Sequence, residues 1–246
     1  CFSPGMMKVT YGTGAFLLMN TGSEIVRSTK GLLTTVAWDL NGALNYALEG
    51  GVFSAGSTVQ WLRDEIGIIQ QSADIEELAQ SVPDNGGVYL VPGFNGLGTP
   101  HWDPEARGSI HGLTRGSNRG HLARATLESI AYQCDDVLRL MSSESGNQVT
   151  SIRSDGGASS NNMLMQFQAD ISEVLIERSS STETTSLGAA YLAGLGIGFW
   201  ESQNQIEGLW QSRGFFSPNM TPSRRALLRH YWLKAVERSR GWAAKN

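Results

Sequence analysis

Ile152-Arg153-Ser154-Asp155-Gly156-Gly157-Ala158-Ser159-Ser160-Asn161-Asn162 is the stretch on which the reading of this chain turns. Ahead of it, Val149 to Arg153 has the make-up of a short strand. Behind it, Met163, Leu164, Phe167 and Ile171 fall at i, i+1, i+4 and i+8, one face of a helix of period 3.6. Ser159, Ser160 and Asn161 are N-cap residues just ahead of that face. The stretch therefore predicts a strand, a tight glycine turn and a helix start. Glycines without Cβ let a flat ligand lie against the backbone. Free N–H groups at the positive end of the helix attract anions or polar ligand edges. The same pattern also serves an ordinary strand-to-helix turn.

Working outward toward the N-terminus, Lys8 to Asn20 reads as a strand, the turn Gly12-Thr13-Gly14 and a second strand. Leu32 to Trp38 is a third strand. Asp39 to Gly42 turns it into a fourth, Ala43 to Leu48, so a β-meander is expected. Val52, Ala55, Val59, Leu62 and Ile66 are spaced as an amphipathic helix, with Gly56 and Gln60 near its edge. Glycine inside a helix costs about 1 kcal/mol relative to alanine, so either a neighbouring backbone or a ligand approaches Gly56 closely. Asp74 to Val82 is a second helix, stopped by Pro83 to Gly87. Val88 to Pro92 is a short strand that opens onto a long loop, Gly93 to Gly108, in which Phe94 and Trp102 argue against disorder. Gly108 to Leu113 is a strand. Ala123, Leu127, Ile130, Cys134, Val137 and Met141 mark a long helix capped by Ser117 or Asn118.

Toward the C-terminus, Val174 to Glu177 is a strand. Thr184 to Ser186 starts a helix of small residues, Gly188, Ala189, Ala190, Ala193 and Gly194, expected to pack tightly in the core. Pro222 to Trp242 is an amphipathic helix whose arginines form a solvated face. The order β, helices, strand, then β–α–β–α is that of one mixed α/β domain over residues 1–246, with no linker to split it.

Composition narrows the function. Hydrophobic residues make up 40% and charged residues 17% of the 246, as in a globular chain. The net charge of −4, with no basic cluster, gives no footing for nucleic acid. There is neither a long apolar run for a membrane span nor a signal peptide. Cys1 and Cys134 are the only cysteines, which argues against a disulfide framework or zinc site and for a reducing, cytoplasmic setting. The chain opens with Cys-Phe-Ser-Pro rather than Met, as a processed chain or a piece of a larger protein does.

The phosphate-loop pattern Gly-x-x-x-x-Gly-Lys-Ser/Thr is missing. So is Gly-x-Ser-x-Gly, which weakens a serine-hydrolase reading. His101, His111 and His121 are spaced unlike common zinc ligands. Glu76-Glu77 and Asp135-Asp136 lie on helices and are most simply solvent-facing. Two glycine turns remain, Gly12-Thr13-Gly14 and Asp155-Gly156-Gly157-Ala158. The first offers N–H groups and a hydroxyl suited to a phosphate chain, though a plain turn needs the same residues. Together they suggest a nucleotide held at both ends.

The run Thr10-Tyr11-Gly12-Thr13-Gly14-Ala15-Phe16-Leu17-Leu18-Met19-Asn20-Thr21-Gly22 resembles the FGGY carbohydrate kinases, which have an actin-like ATPase (ribonuclease H-like) fold. Gln60 to Glu65, Trp102 to Gly108, Gly112 to Gly116, His121 to Glu128 and Met165 to Asp170 also match, so the resemblance covers essentially the whole chain. It is to the C-terminal, nucleotide-binding half of the members that phosphorylate glycerol; the alternative is a pentulose kinase of the same family. The resemblance implies a mixed β-sheet flanked by helices, with ATP or ADP and Mg2+ as cofactors. Gly12 and Thr13 would meet the β- and γ-phosphates, and Gly56 and Gln60 would lie along the nucleotide. Gly157 and Ala158 would pack on adenosine, Asn161 would bond near it, and Phe16 would touch glycerol. No residue here would be catalytic or bind a metal, because the family's catalytic aspartate lies upstream of where Cys1 stands. The partners implied are glycerol, ATP, an N-terminal substrate domain, and further copies in a homodimer or homotetramer of the full-length protein. Alone, such a chain would be a nucleotide-binding module without catalysis. The residues around Phe216 to Met220 do not match the family's regulatory contacts, which leaves allosteric control open.

Overall fold

A computed structural model describes residues 1–243. Alternation builds the first strand, β1 (Met7–Tyr11): Met7, Val9 and Tyr11 are buried on one face, and Lys8 and Thr10 lie on the other. The strands β2 (Ala15–Gly22), β3 (Leu33–Leu40) and β4 (Ala43–Val52) join it in antiparallel pairs. They are not a meander, because β4 lies between β2 and β3. Val52 therefore ends a strand rather than starting a helix, and α1 runs only Gly56–Asp64. Beyond α1, Ile66 is 44% exposed.

α2 (Asp74–Gln80) leads to the two-stranded ribbon of β5 (Tyr89–Val91) and β6 (Ser109–His111). The loop between these strands is ordered by contacts within it and with Gly31 and Gly241. Leu97 bridges Asp103, and the Trp102 indole N–H donates to the Gly31 carbonyl at 2.6 Å. The carboxylate of Asp103 accepts from the backbone N–H groups of Glu105, Ala106 and Gly241.

α3 (Arg119–Ser145) is the spine of the fold. Asn118 and His121 form a reciprocal cap at its start, and Gly146 ends it in a left-handed conformation. β7 (Ser151–Asp155) then pairs parallel with β1, placing Thr10 opposite Asp155. α4 (Asn162–Ser172) packs on α3, and β8 (Leu175–Ser179) pairs parallel with β7. After α5 (Thr184–Gly196) and α6 (Gln203–Glu207), β9 (Ser212–Phe216) closes the edge antiparallel to β8. The sheet order is β3-β4-β2-β1-β7-β8-β9. α7 (Pro222–Ser239), with Thr221 as its cap and proline at its first position, lies against α4 and β5.

Three burial expectations are overturned. α5 is not a core helix: Gly194 is its only buried residue, and Leu187, just inside it, is 38% exposed. Asp135 and Asp136 do not face solvent. Asp135 is fully buried and the Asp136 side chain is 8% exposed, between α3 and α7, where Arg229 pairs with both and the Trp232 indole N–H donates to Asp136 at 2.7 Å. The arginines of α7 are therefore not a uniform solvated face. Arg225 is buried too, donating to the Asp170 carbonyl at 3.0 Å and to Glu173 at 2.8 Å. The buried charges persist because each has a partner, as leaving one alone would cost several kcal/mol, about 3–5.

Candidate functional site

Because β1 and β7 run parallel side by side, the turns that follow them leave the same edge of the sheet. Ligands in α/β sheets bind beyond such strand ends. At the first turn, the Gly12 N–H donates to Gly14 at 2.8 Å. The start of α1 docks on its carbonyls: the Gly56 N–H donates to Gly12 at 2.9 Å, and those of Ala55 and Ser57 donate to Thr13 at 2.9 and 3.0 Å. A Cβ on Gly56 would come within 2.6 Å of the Gly12 oxygen, so it is the neighbouring backbone that requires glycine there. The amide and hydroxyl of Thr13 bond no other group among the described residues.

The second turn divides its work between adjacent glycines. Gly156 has a φ of +87°, and a Cβ on it would lie 2.4 Å from the Tyr11 carbonyl oxygen. Gly157 opens a short 3-10 turn to Ser160, and an added Cβ would meet nothing within 4 Å. The side chain of Asp155 is engaged elsewhere, accepting from the Thr10 hydroxyl at 2.5 Å and from the Thr184 hydroxyl. Asn161 caps α4 by accepting from the Leu164 N–H at 2.8 Å.

Gly12, Thr13, Gly56, Gln60, Gly157, Ala158 and Asn161 all line one cavity of about 460 Å3, within the range of small-ligand sites. Phe16 is not among its lining residues; it lies on β2, 53% exposed. The cavity also includes residues that sequence reasoning missed. Val59, Leu127 and Ile130 give it an apolar floor, and Tyr11 stands beside them. Burial raises the Tyr11 phenol well above its ordinary value, and its hydroxyl donates to Gln168 at 3.0 Å, so it stays a neutral wall. The helical periodicity of Leu127 and Ile130 marked them as core, without distinguishing core from cavity floor.

Glu76 is the clearest departure. It is half-buried and lines the cavity, accepting from the backbone N–H of Met163 at 3.1 Å and of Asn162 at 3.4 Å. With Asn161 on Leu164, the first three N–H groups of α4 are occupied. The expected free, anion-attracting helix start is thus closed by a carboxylate. No spacing in the sequence pairs residue 76 with residue 162. Among the described residues, no group of His, Cys, Asp or Glu is arranged to hold a metal ion, and no helix is long and apolar enough to cross a membrane.

A mixed sheet flanked by helices, with a cavity where two parallel strands end, defines the class. Residues 7–197 match the C-terminal domain of the FGGY family of carbohydrate kinases, and the chain belongs to that family. Its architecture is that of the actin-like ATPases. Within the family, the chain is similar to glycerol kinases. That of Trichlorobacter lovleyi is 57% identical over 243 residues, which cover 99% of this chain and 49% of the relative. Glycerol kinase 2 of Thermotoga maritima is 57% identical over 242 residues, 98% of this chain and 49% of the relative. The crystal structure of Plasmodium falciparum glycerol kinase with ADP matches at a TM-score of 0.90 and 40% identity, over 97% of this chain and 48% of that one. Ligand-bound xylulose kinase from Lactobacillus acidophilus, 23% identical with a TM-score of 0.80, shares the fold. The chain spans about half the length of the curated relatives it matches.

Proposed function

We propose that residues 1–246 are the C-terminal, nucleotide-binding domain of a kinase that transfers the γ-phosphoryl group of ATP to glycerol, giving sn-glycerol 3-phosphate. The observation that carries this reading is the convergence of seven residues, from two glycine turns and the starts of α1 and α4, on one cavity. The similarity to glycerol kinases, one of them solved with ADP, supports the choice of substrates.

In this reading Gly12 and the Thr13 amide and hydroxyl hold the β- and γ-phosphates. Gly56 keeps α1 tight on that turn, Gln60 borders the nucleotide, and Gly157, Ala158 and Asn161 receive the adenosine. A terminal oxygen of glycerol attacks the γ-phosphorus while the bond to the bridging β–γ oxygen breaks. The hydroxyl proton passes to a carboxylate of an N-terminal domain outside this chain, and Phe16 serves glycerol only when that domain faces it. Such transfer rests on positioning and on neutralising the phosphate charge. Mg2+ supplies part of that neutralisation. Among the described residues, no cluster of His, Cys, Asp or Glu would hold it.

The test compares the complete protein, including the sequence that precedes Cys1, with this chain alone. The complete protein forms glycerol 3-phosphate from glycerol and ATP in preference to xylulose phosphate from xylulose. The chain alone binds ADP and forms neither product. Steady glycerol 3-phosphate formation by the purified chain overturns the division of labour, and a preference for xylulose overturns the substrate.

A further inference from the structure

Helix α4 begins at the cavity, yet none of its first three N–H groups is free for a ligand. The Leu164 N–H donates to Asn161 at 2.8 Å, and the Met163 and Asn162 N–H groups donate to Glu76 at 3.1 and 3.4 Å. A helix N-terminus ordinarily attracts anions through these groups and through its dipole. Here a carboxylate supplied by α2, a separate element, takes that place. The Glu76 side chain is only half-buried and itself forms part of the cavity wall. A second anion brought to this wall would meet like charge rather than open donors.

The cavity is therefore polarised. Its hairpin–α1 side presents Thr13, whose amide and hydroxyl bond no other group among the described residues. Its α2–α4 side presents a carboxylate whose oxygens have each accepted one N–H and keep further lone pairs. A phosphate chain suits the first side. The second suits a neutral group that donates hydrogen bonds, such as an exocyclic amino group of a base.

We propose that Glu76 is a specificity-determining and positioning residue for the nucleotide. It excludes phosphate from the α4 end of the cavity and selects a base with a 6-amino donor over one with a 6-oxo acceptor. The proposal rests on the nucleotide reading above and extends it to the choice of base and the direction in which the molecule lies. ADP and IDP separate the two halves of the idea, since they share ribose and phosphates and differ at position 6 of the purine.

The experiment is calorimetric titration of the full 246-residue chain, wild type and Glu76→Gln, with ADP, IDP and inorganic tripolyphosphate. Glutamine keeps the size and one acceptor but removes the charge and adds a donor. Wild type is expected to prefer ADP over IDP by about tenfold or more, the scale of one hydrogen bond to a charged group. In Glu76→Gln the ratio falls severalfold, mainly through tighter IDP, and tripolyphosphate binds more tightly than to wild type. A merely structural cap would weaken both nucleotides alike and leave the ratio unchanged. An unchanged ratio in a variant with wild-type thermal unfolding overturns the proposal. Should Glu76→Gln unfold early, Glu76→Asp, which retains charge and shortens reach, is scored on the same ratio, which must fall if the base is selected at this wall. Absence of ADP binding by wild type overturns the nucleotide reading itself, a result distinct from an unchanged ratio.

Discussion

At the scale of single residues, neighbouring glycines serve different ends. Gly156 is required by conformation and crowding, with its φ of +87° and the Tyr11 carbonyl against any Cβ. A Cβ on Gly157 would meet nothing within 4 Å, so the fold makes no demand for glycine there. Gly156→Ala should therefore lower the unfolding free energy by about 2 kcal/mol or more, read by urea denaturation. Gly157→Val should unfold like wild type and lose at least about tenfold in ADP affinity, above roughly 1.4 kcal/mol; wild-type affinity would make this turn only a turn. Thr13→Val in the complete protein should lower kcat and kcat/KM together, by about 10- to 100-fold, with ADP affinity little changed, if its hydroxyl meets phosphate charge that shifts during transfer, as the proposed function has it. An unchanged kcat would leave the turn without a phosphate role. Most of this site was legible in the sequence because glycine turns and a helix cap are local patterns. Glu76 was not, because its partners lie 86 and 87 residues away and only the tertiary fold brings them together.

Among elements, α3 carries the most consequential burial. Glu128 is 3% exposed; it accepts from Asn85 at 2.9 Å and pairs with Arg124 at 3.0 Å. Burial lifts its carboxyl from 4.5 to about 7, outweighing the pull of Arg124 and Asn85. The folded chain therefore keeps a proton there that the unfolded chain has already lost. The stability due to that proton is present in full below pH 4.5 and is lost as the pH rises toward 7. Glu128→Gln removes this dependence, so the fall in unfolding free energy from about pH 5 to pH 8 should shrink, by roughly 2–3 kcal/mol at most. A pH profile parallel to wild type would place the Glu128 titration outside this window. Local sequence patterns identified α3, α4, β1, β2 and the strand at β7, although α3 is buried on every side from Ala125 to Asp135 rather than on one face. It misjudged α5, whose apolar residues say nothing about what lies against them. It also missed the buried Asp135 and Asp136, because Arg229 and Trp232 reach them from α7, 93 and 96 residues beyond Asp136. The order of the first four strands was hidden for the same reason, since pairing between strands leaves no trace in either strand alone.

Across the whole molecule, the parallel pairing of β1 with β7 sets the two glycine turns side by side, and the hydroxyl of Thr10 donates to Asp155 across 145 residues of chain. In time as well as in space this makes the site remote. The ladder cannot zip until β7 has been synthesised and the long intervening segment has been closed, at an entropic cost that local hairpins such as β1–β2 do not bear. The cavity is thus predicted to form late in folding. A ligand that binds only the finished cavity stabilises the native chain without stabilising the transition state that precedes it. Saturating ADP should accordingly slow unfolding in stopped-flow denaturant jumps and leave the refolding rate unchanged. Faster refolding with ADP would mean that the β1–β7 ladder forms early. On a ribosome, the first turn would emerge long before its counterpart and wait without a ligand until Gly156 and Gly157 arrived beside it.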